Sequence, residues 1–269
     1  MANPSLPDEF AGALDAAGSR LGPFQHRVTW FPTIGSTNDL AMTSAASGAP
    51  EGTTIVADEQ TAGRGRRGRT WFSPPGSGLY VSVVLRPAAP DVLTPAVTLL
   101  TLAAGVALAE GIRAATGLPV NIKWPNDLVI GRRKLAGILA EAVSATGGVQ
   151  AIVLGFGINI RPAAYPPDLA PRATSLESEL GRGVDRGLVL AEALAGLAAR
   201  YDELRARRFD NILGAWRTLA PGSRGSLVEW ATPSGPRHGR TEGIDDTGAL
   251  LVRTSDAVER IVAGEIVWK

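Results

Sequence analysis

Apolar positions along this chain fall into short runs bounded by Gly, Pro, Asn and Asp, which predict strands, and longer runs with helical spacing, which predict helices. Strands are expected at His26 to Phe31, Thr53 to Gln60, Leu79 to Leu85 and Ala151 to Ile160. Asn121 to Trp124 reads as an extended segment, and Asp127 to Ile130 with Lys134 to Val143 as a hairpin turning at Gly131-Arg132-Arg133. Helices are expected over 8–18, after Ser36 as far as Gly48, from Thr94-Pro95 to about Thr116, over Leu188 to Arg207 and near Ile212 to Leu219. Ser36 with Asp39 three residues on fits a capping box.

From Pro221 the pattern changes to short β-like runs at Ser226–Trp230, Arg240–Ile244, Ala249–Arg253 and Arg260–Val262, with Asp245-Asp246-Thr247-Gly248 as a turn. Three units follow: an N-terminal extension with a short helix at 1–25, a large unit at 26–220 and a small all-β unit at 221–269. The extension is too short for a DNA-binding module.

At 269 residues and 45% hydrophobic content the chain can bury a large core, and its net charge of +1 gives no general attraction to nucleic acid or membrane. The long apolar helix is read as core, because Thr98 and Thr101 interrupt its apolar run and Glu110 and Arg113 follow it. Met1 to Phe10 carries Asp8 and Glu9 and lacks a basic-then-apolar leader, so a cytoplasmic location is expected. Cysteine is absent and His26 and His238 are the only histidines. Thiol nucleophiles are thereby excluded, and a Ser-His-Asp triad or a transition-metal centre is disfavoured. An enzyme of this composition works by positioning and electrostatics, with a hard cation such as magnesium.

One segment carries the strongest chemical signal. Gln60-Thr61-Ala62-Gly63-Arg64-Gly65-Arg66-Arg67-Gly68-Arg69-Thr70-Trp71 holds four arginines and no acid, and so calls for an anion. Its glycine spacing mimics the dinucleotide fingerprint and comes close to a phosphate-loop signature, yet both of those need a helix directly after the glycines. Here Ser73-Pro74-Pro75-Gly76-Ser77-Gly78 and a strand follow instead. The segment is therefore a strand-to-strand loop, expected to be mobile when empty and to close over a small anionic ligand.

Other motifs admit two readings each. Ser36-Thr37-Asn38 either holds a polar head group at a helix mouth or simply caps the helix. Lys123-Trp124-Pro125-Asn126-Asp127 offers a cation for a phosphate and an acid for a ribose or a metal, or forms a surface turn with a solvated ion pair. Glycines inside the strands Lys134-Leu135-Ala136-Gly137-Ile138-Leu139 and Gly155-Phe156-Gly157-Ile158-Asn159 mark either close approach of a ligand or strand, or a tight packing spot.

Taken in order from Ser36 to Asn159, these motifs resemble those of the biotin protein ligases: Ser-Thr-Asn, Gly-Arg-Gly-Arg-Arg-Gly-Arg-x-Trp, Lys-Trp-Pro-Asn-Asp, Lys-Leu-Ala-Gly-Ile-Leu and Gly-x-Gly-Ile-Asn. The resemblance runs from about Val28 through the final β unit. It implies an α+β fold, with a mixed β-sheet and helices related to class II aminoacyl-tRNA synthetases, plus a small C-terminal β-barrel of Src-homology type. It also implies the ligase-only type, without the N-terminal winged-helix repressor domain.

The implied reaction joins biotin and ATP, with magnesium, into biotinyl-adenylate, and then moves biotin to a lysine of a biotin carboxyl carrier protein domain. The implied partner is a biotin-dependent carboxylase subunit, with no DNA and no membrane, and the protein is expected to be a monomer or homodimer. Lys123, Arg64 and Arg66 are the implied catalytic residues, with Lys123 at the carboxylate–phosphate junction. Ser36, Thr37, Asn38, Gln60, Gly63, Gly65, Arg67, Trp71, Asn126 and Gly137 join them in the substrate-binding set, and Asp127 is a candidate for magnesium. The alternatives are a lipoate–protein ligase of the same superfamily, against which the arginine loop speaks, and a nucleic-acid-binding module.

Overall fold

The computed structural model describes residues 5–87, 93–145 and 148–269, with backbone alone for 93–97 and 145. Residues 1–4 of the expected extension lie outside the described residues. The elements run α1 (Asp8–Ala17), β1 (Val28–Phe31), α2 (Thr37–Ala46), β2 (Thr54–Ala57), β3 (Gly78–Leu85), α3 (Leu93–Thr116), β4 (Asn121–Lys123), β5 (Asp127–Ile130), β6 (Arg133–Ala145), β7 (Gly148–Asn159), α4 (Leu176–Leu180), α5 (Arg186–Arg205) and α6 (Phe209–Leu219). A second group follows: β8 (Arg224–Thr232), β9 (Gly235–Ile244), β10 (Leu250–Arg253), β11 (Val258–Ile261) and β12 (Ile266–Trp268).

The first seven strands form one mixed sheet in the order β1-β2-β3-β7-β6-β5-β4, parallel only at β1 with β2. The other five form an antiparallel sheet in the order β11-β10-β9-β8-β12, consistent with a barrel of Src-homology type. Strand alternation divides the large sheet into two faces. Val81, Val83 and Leu85 of β3, with Ile152 and Leu154 of β7, join the main core beneath α3 and α5. The intervening Val84, Val153, Ala151 and Val143 pack with Ala41 and Ala45 of α2 on the opposite face. The site is built on that second face.

α3 is long and apolar enough to cross a membrane by length and composition alone. It lies instead against α5 and the sheet, with Leu100, Ala103, Val106, Ala107 and Ile112 buried. α1 also packs on α5, so Phe10 and Leu14 belong to the main core.

Three elements escape a reading by pattern. α4 is five residues long and β12 three, too short to show a period. The first half of β9, Gly-Pro-Arg-His-Gly, has no apolar face and exists through its pairing with β8. The expected capping box is half formed: Ser36 Oγ accepts from Asp39 N at 3.3 Å, while the Asp39 carboxylate turns to Arg64.

One buried ion cluster fastens this frame. Arg186 at the start of α5 is 9% exposed, and donates to Asp58 Oδ1 at 2.6 Å and to Glu9 Oε1 at 2.5 Å. Asp58 Oδ2 accepts in turn from Gly76 N at 2.9 Å, which joins α1, α5 and the turn before β3. Arg186→Ala strands two carboxylates, one of them largely covered, and is expected to cost about 3 kcal/mol in urea unfolding. A loss below about 1 kcal/mol would show that solvent already satisfies both acids.

Candidate functional site

Three strands present aligned rows to the α2 face. Gly137 of β6 stands opposite Gly157 of β7, and Leu139 opposite Gly155, which in turn stands opposite Ser82 of β3. These glycines make room for the protein's own side chains. A Cβ on Gly155 would lie 2.0 Å from Asn38 Oδ1, and one on Gly157 would lie 2.4 Å from Trp71 Nε1. A Cβ on Gly137 would meet Trp71 Cζ3 at 2.9 Å and Lys134 Cε at 3.2 Å. The indole of Trp71 thus lies across a two-glycine floor, its Nε1–H buried and unpartnered among the described residues.

The polar end of the pocket is formed where α2 begins. Ser36, Thr37 and Asn38 are each 4% exposed. Gln60 Oε1 accepts from Thr37 N at 2.8 Å and Thr37 Oγ1 at 3.0 Å, while its Nε2 donates to Ser73 Oγ at 3.0 Å. Asn38 Nδ2 donates to Glu141 Oε2 at 2.9 Å. Ser36 caps the helix, and all three residues line the pocket.

The arginine loop folds as a small hairpin. Trp71 N donates to Gly63 O at 2.9 Å and Gly65 N to Arg69 O at 2.7 Å, around a tip with Arg67 at φ 59° and Gly68 at φ 73°. Positive φ at both central residues is the geometry of a tight two-residue hairpin turn, which Gly68 adopts without strain. The loop is tied down by acids remote in sequence. Arg64 donates to Asp39 Oδ1 and Glu141 Oε1, each at 2.5 Å, and Arg69 forms a forked pair with Glu265 of the C-terminal unit. Arg66 donates to Asn126 Oδ1 at 2.9 Å, and Asn126 is itself held on the backbone of Ile138.

The hydrogen bond that Arg64 donates to Asp39 raises its guanidinium above the ordinary value, and burial lowers that of Arg66. Arginine stays charged in both settings. Hydrogen bonding from Arg69 holds the Glu265 carboxyl below its ordinary value.

Beyond Trp71 a second cleft of about 280 Å³ opens between the two units. Its lining includes Arg66, Arg67, Arg69, Lys123, Arg132, Lys134 and Arg172, with Asp127 and Glu265 as its acids and Trp71, Phe72, Trp124 and Tyr165 as its aromatics. Lys134 and Arg66 belong to both cavities. Lys134 Nζ sits 2.6 Å from Asp127 Oδ1 and 5.2 Å from the Trp71 ring centroid. Lys123 occupies the outer cleft alone, its Nζ 5.4 Å from the Trp268 ring, and burial lowers its ammonium below the ordinary value.

Of the residues singled out in the sequence, Ser36, Thr37, Asn38, Gln60, Arg64, Gly65, Arg66, Trp71, Asn126 and Gly137 line the inner pocket. Arg67, Lys123 and Asp127 lie in the outer cleft. Gly63 is buried behind the wall, where a Cβ would stand 2.5 Å from Trp71 O. Asp127 is paired with Lys134, and no group of three or more His, Cys, Asp or Glu able to hold a metal occurs among the described residues. Lys134, Ser82 and Glu141 are the contributors that sequence reading passed over. Lys134 opens a motif already singled out, whereas Ser82 and Glu141 stand in ordinary strand sequence and carried no signal.

The profile of the "Biotin/lipoate A/B protein ligase family" matches residues 30–159, and that of the "Biotin protein ligase C terminal domain" matches residues 228–268. A biotin--[acetyl-CoA-carboxylase] ligase from Paracoccus denitrificans is 37% identical over 240 residues, covering 87% of this chain and 97% of that protein. One of the same name from Mycobacterium tuberculosis is 34% identical over 268 residues, covering 98% and 94%. Among solved structures, the biotin protein ligase from Aquifex aeolicus in complex with biotin and ATP superposes with a TM-score of 0.78 at 28% identity, covering 91% of this chain and 99% of that one.

Proposed function

As the chain belongs to the biotin protein ligase family, we propose that it activates biotin as biotinyl-adenylate and transfers it to a lysine of a biotin carboxyl carrier domain. The observation that carries this reading is the pair of cavities joined at Lys134 and Arg66: a polar-ended pocket on one side and a cation-lined cleft on the other. The ring of biotin enters among Ser36, Thr37, Asn38 and Gln60, its chain runs over Trp71, and its carboxylate reaches the junction. The triphosphate lies in the outer cleft near Lys123, Arg69 and Arg172.

In the first step a carboxylate oxygen attacks the α-phosphorus, the bond to the bridging oxygen breaks and pyrophosphate leaves. Two anions must approach each other, and the Lys134 ammonium and Arg66 guanidinium offset their repulsion at the point of contact. In the second step the acceptor amine attacks the acyl carbon, the bond to AMP breaks and the amine gives up a proton. The protein supplies no nucleophile, in keeping with a chain that lacks cysteine.

Magnesium would enter this arrangement as a companion of the triphosphate, since the acids among the described residues are scattered and form no dedicated cage. The boundaries 1–25, 26–220 and 221–269 are proposed as the units of the protein, with the C-terminal unit closing the outer cleft through Gly264, Glu265 and Ile266.

The direct test combines the protein with biotin, ATP labelled at the α-phosphate and magnesium, followed by a carrier domain. Biotin-dependent release of pyrophosphate and a labelled adenylate that a carrier lysine discharges are expected. Equal turnover of lipoate would favour the other acyl ligase of the superfamily, and no pyrophosphate release with either acid would overturn the reading.

A further inference from the structure

Three of the arginines in the hairpin are answered inside the protein: Arg64 by Asp39 and Glu141, Arg66 by Asn126 and Arg69 by Glu265. Arg67 is the exception, with no hydrogen-bond, ion-pair or ring partner for its side chain among the described residues. Its place is also a costly one. Arg67 takes φ 59° at the hairpin tip, a left-handed position that Gly, Asn and Asp fill readily and a long side chain does not. It is exposed, and it lines the outer cleft but not the inner pocket.

An exposed arginine on a loop is ordinarily a solvated charge, and two features of the cleft set this one apart. Basic side chains outnumber acids along the cleft, and both acids are already engaged, Asp127 by Lys134 at 2.6 Å and Glu265 by Arg69. The rim also lies on the path of the second substrate. Pyrophosphate vacates the outer cleft after the first step, and the acceptor lysine must use that opening to reach the acyl carbon. A lysine arrives as an ammonium, so its protein brings a cation to a cationic mouth. Acidic groups beside that lysine offset the repulsion and steer the encounter.

We propose that Arg67 is a docking residue for the acceptor carrier, pairing with an acidic side chain that flanks the carrier's acceptor lysine. The inference rests on the assignment of biotin transfer to this cleft. The arginines paired within the protein hold the hairpin in place, and the unpaired one at its tip is left for the partner.

Transfer is read in single turnovers from biotinyl-adenylate formed beforehand on the full chain, with the carrier domain of an acetyl-CoA carboxylase as acceptor. Arg67→Asn gives the tip the Asn-Gly pair that such turns favour and removes the charge. It is expected to resist urea at least as well as the unaltered protein, yet to need about fivefold more carrier for half-maximal transfer. Arg67→Glu should raise that concentration about tenfold or more. Changing the acids that flank the acceptor lysine to lysine, one at a time, should recover most of the Arg67→Glu loss at one position. Added salt should slow transfer by the unaltered protein more than by Arg67→Asn.

If the unaltered protein transfers no biotin to the carrier, the assigned reaction itself fails. If it does, and both variants reach half-maximal transfer within about twofold of its carrier concentration, Arg67 is a solvated charge and the docking role is overturned. A loss already present in pyrophosphate release before carrier is added would give Arg67 to the triphosphate instead. A loss from Arg67→Glu that no charge-reversed carrier relieves would overturn the acidic partner.

Discussion

Lys134→Gln is expected to slow biotin-dependent pyrophosphate release by about 10²- to 10³-fold, the usual effect of removing one preorganised donor from a developing charge. Lys134 has the position for that role: it lines both cavities, and its ammonium is steered by Asp127 at 2.6 Å and by the face of Trp71. Its side chain remains 37% exposed, so the ion pair itself adds less than about 1 kcal/mol to stability. A melting temperature near that of the unaltered protein should therefore accompany the loss of rate.

Lys123→Gln makes the informative comparison. Lys123 touches only the outer cleft, and loss of its charge is expected to raise KM for ATP more than it slows the chemical step. Rapid-quench measurement of the pyrophosphate burst at saturating ATP separates the two. A near-normal burst from Lys134→Gln, with a collapsed one from Lys123→Gln, would place the carboxylate–phosphate junction at Lys123.

Gly157→Ala is expected to remove most activity through a single methyl group. The added Cβ would stand 2.4 Å from Trp71 Nε1 and 2.6 Å from Trp71 Cε2, far inside contact distance, with the neighbouring strands β3 and β6 paired on either side. Something must move, and the indole is freer than the central strand of a sheet. Displacing Trp71 takes the wall from between the two cavities and the aromatic face from beneath Lys134.

Overpacking of this kind costs about 1–3 kcal/mol, and a misplacement near 1 Å at a reacting centre costs on the order of 10²-fold in rate. A double variant distinguishes a steric cause from a general weakening of β7. Trp71→Leu in the Gly157→Ala background should recover stability without recovering rate. If the double variant is no more stable than Gly157→Ala alone, the clash is not the cause.

Much of the architecture could be read along the chain because its signals are local. Most strands from β1 to β7 and the helices α2, α3, α5 and α6 carry an apolar run long enough to show its period, with Ser36 and Gly48 bounding α2, while the three-residue β4 was legible from the motif that it opens. The ordered motifs from Ser36 to Asn159 were equally plain, because each contains residue types that ordinary strands avoid. Reading stopped where an element is too short to have a period, as in α4 and β12, or where pairing alone sustains it, as in the first half of β9.

The arginine segment shows the same limit at the level of chemistry. Its sequence contains no acid and calls for an outside anion, yet Arg64 is answered by Asp39 and Glu141, and Arg69 by Glu265, at separations of 25, 77 and 196 residues. A single chain pattern cannot reveal such partners, because they meet only when α2, β6 and the C-terminal unit are brought to one side of the sheet. In the same way, Gly155 and Gly157 could be recognised as sites of close approach, while the occupants of that space, Asn38 and Trp71, come from other elements.

By itself, then, the sequence determined the longer elements, the residue types of the site and the family resemblance, all of which are carried by periodicity and local motif. Only the tertiary structure decided which cations line both cavities and which carboxylates restrain the arginines. Those depend on distances between residues far apart in the chain, and such distances exist only once the sheet has set its register.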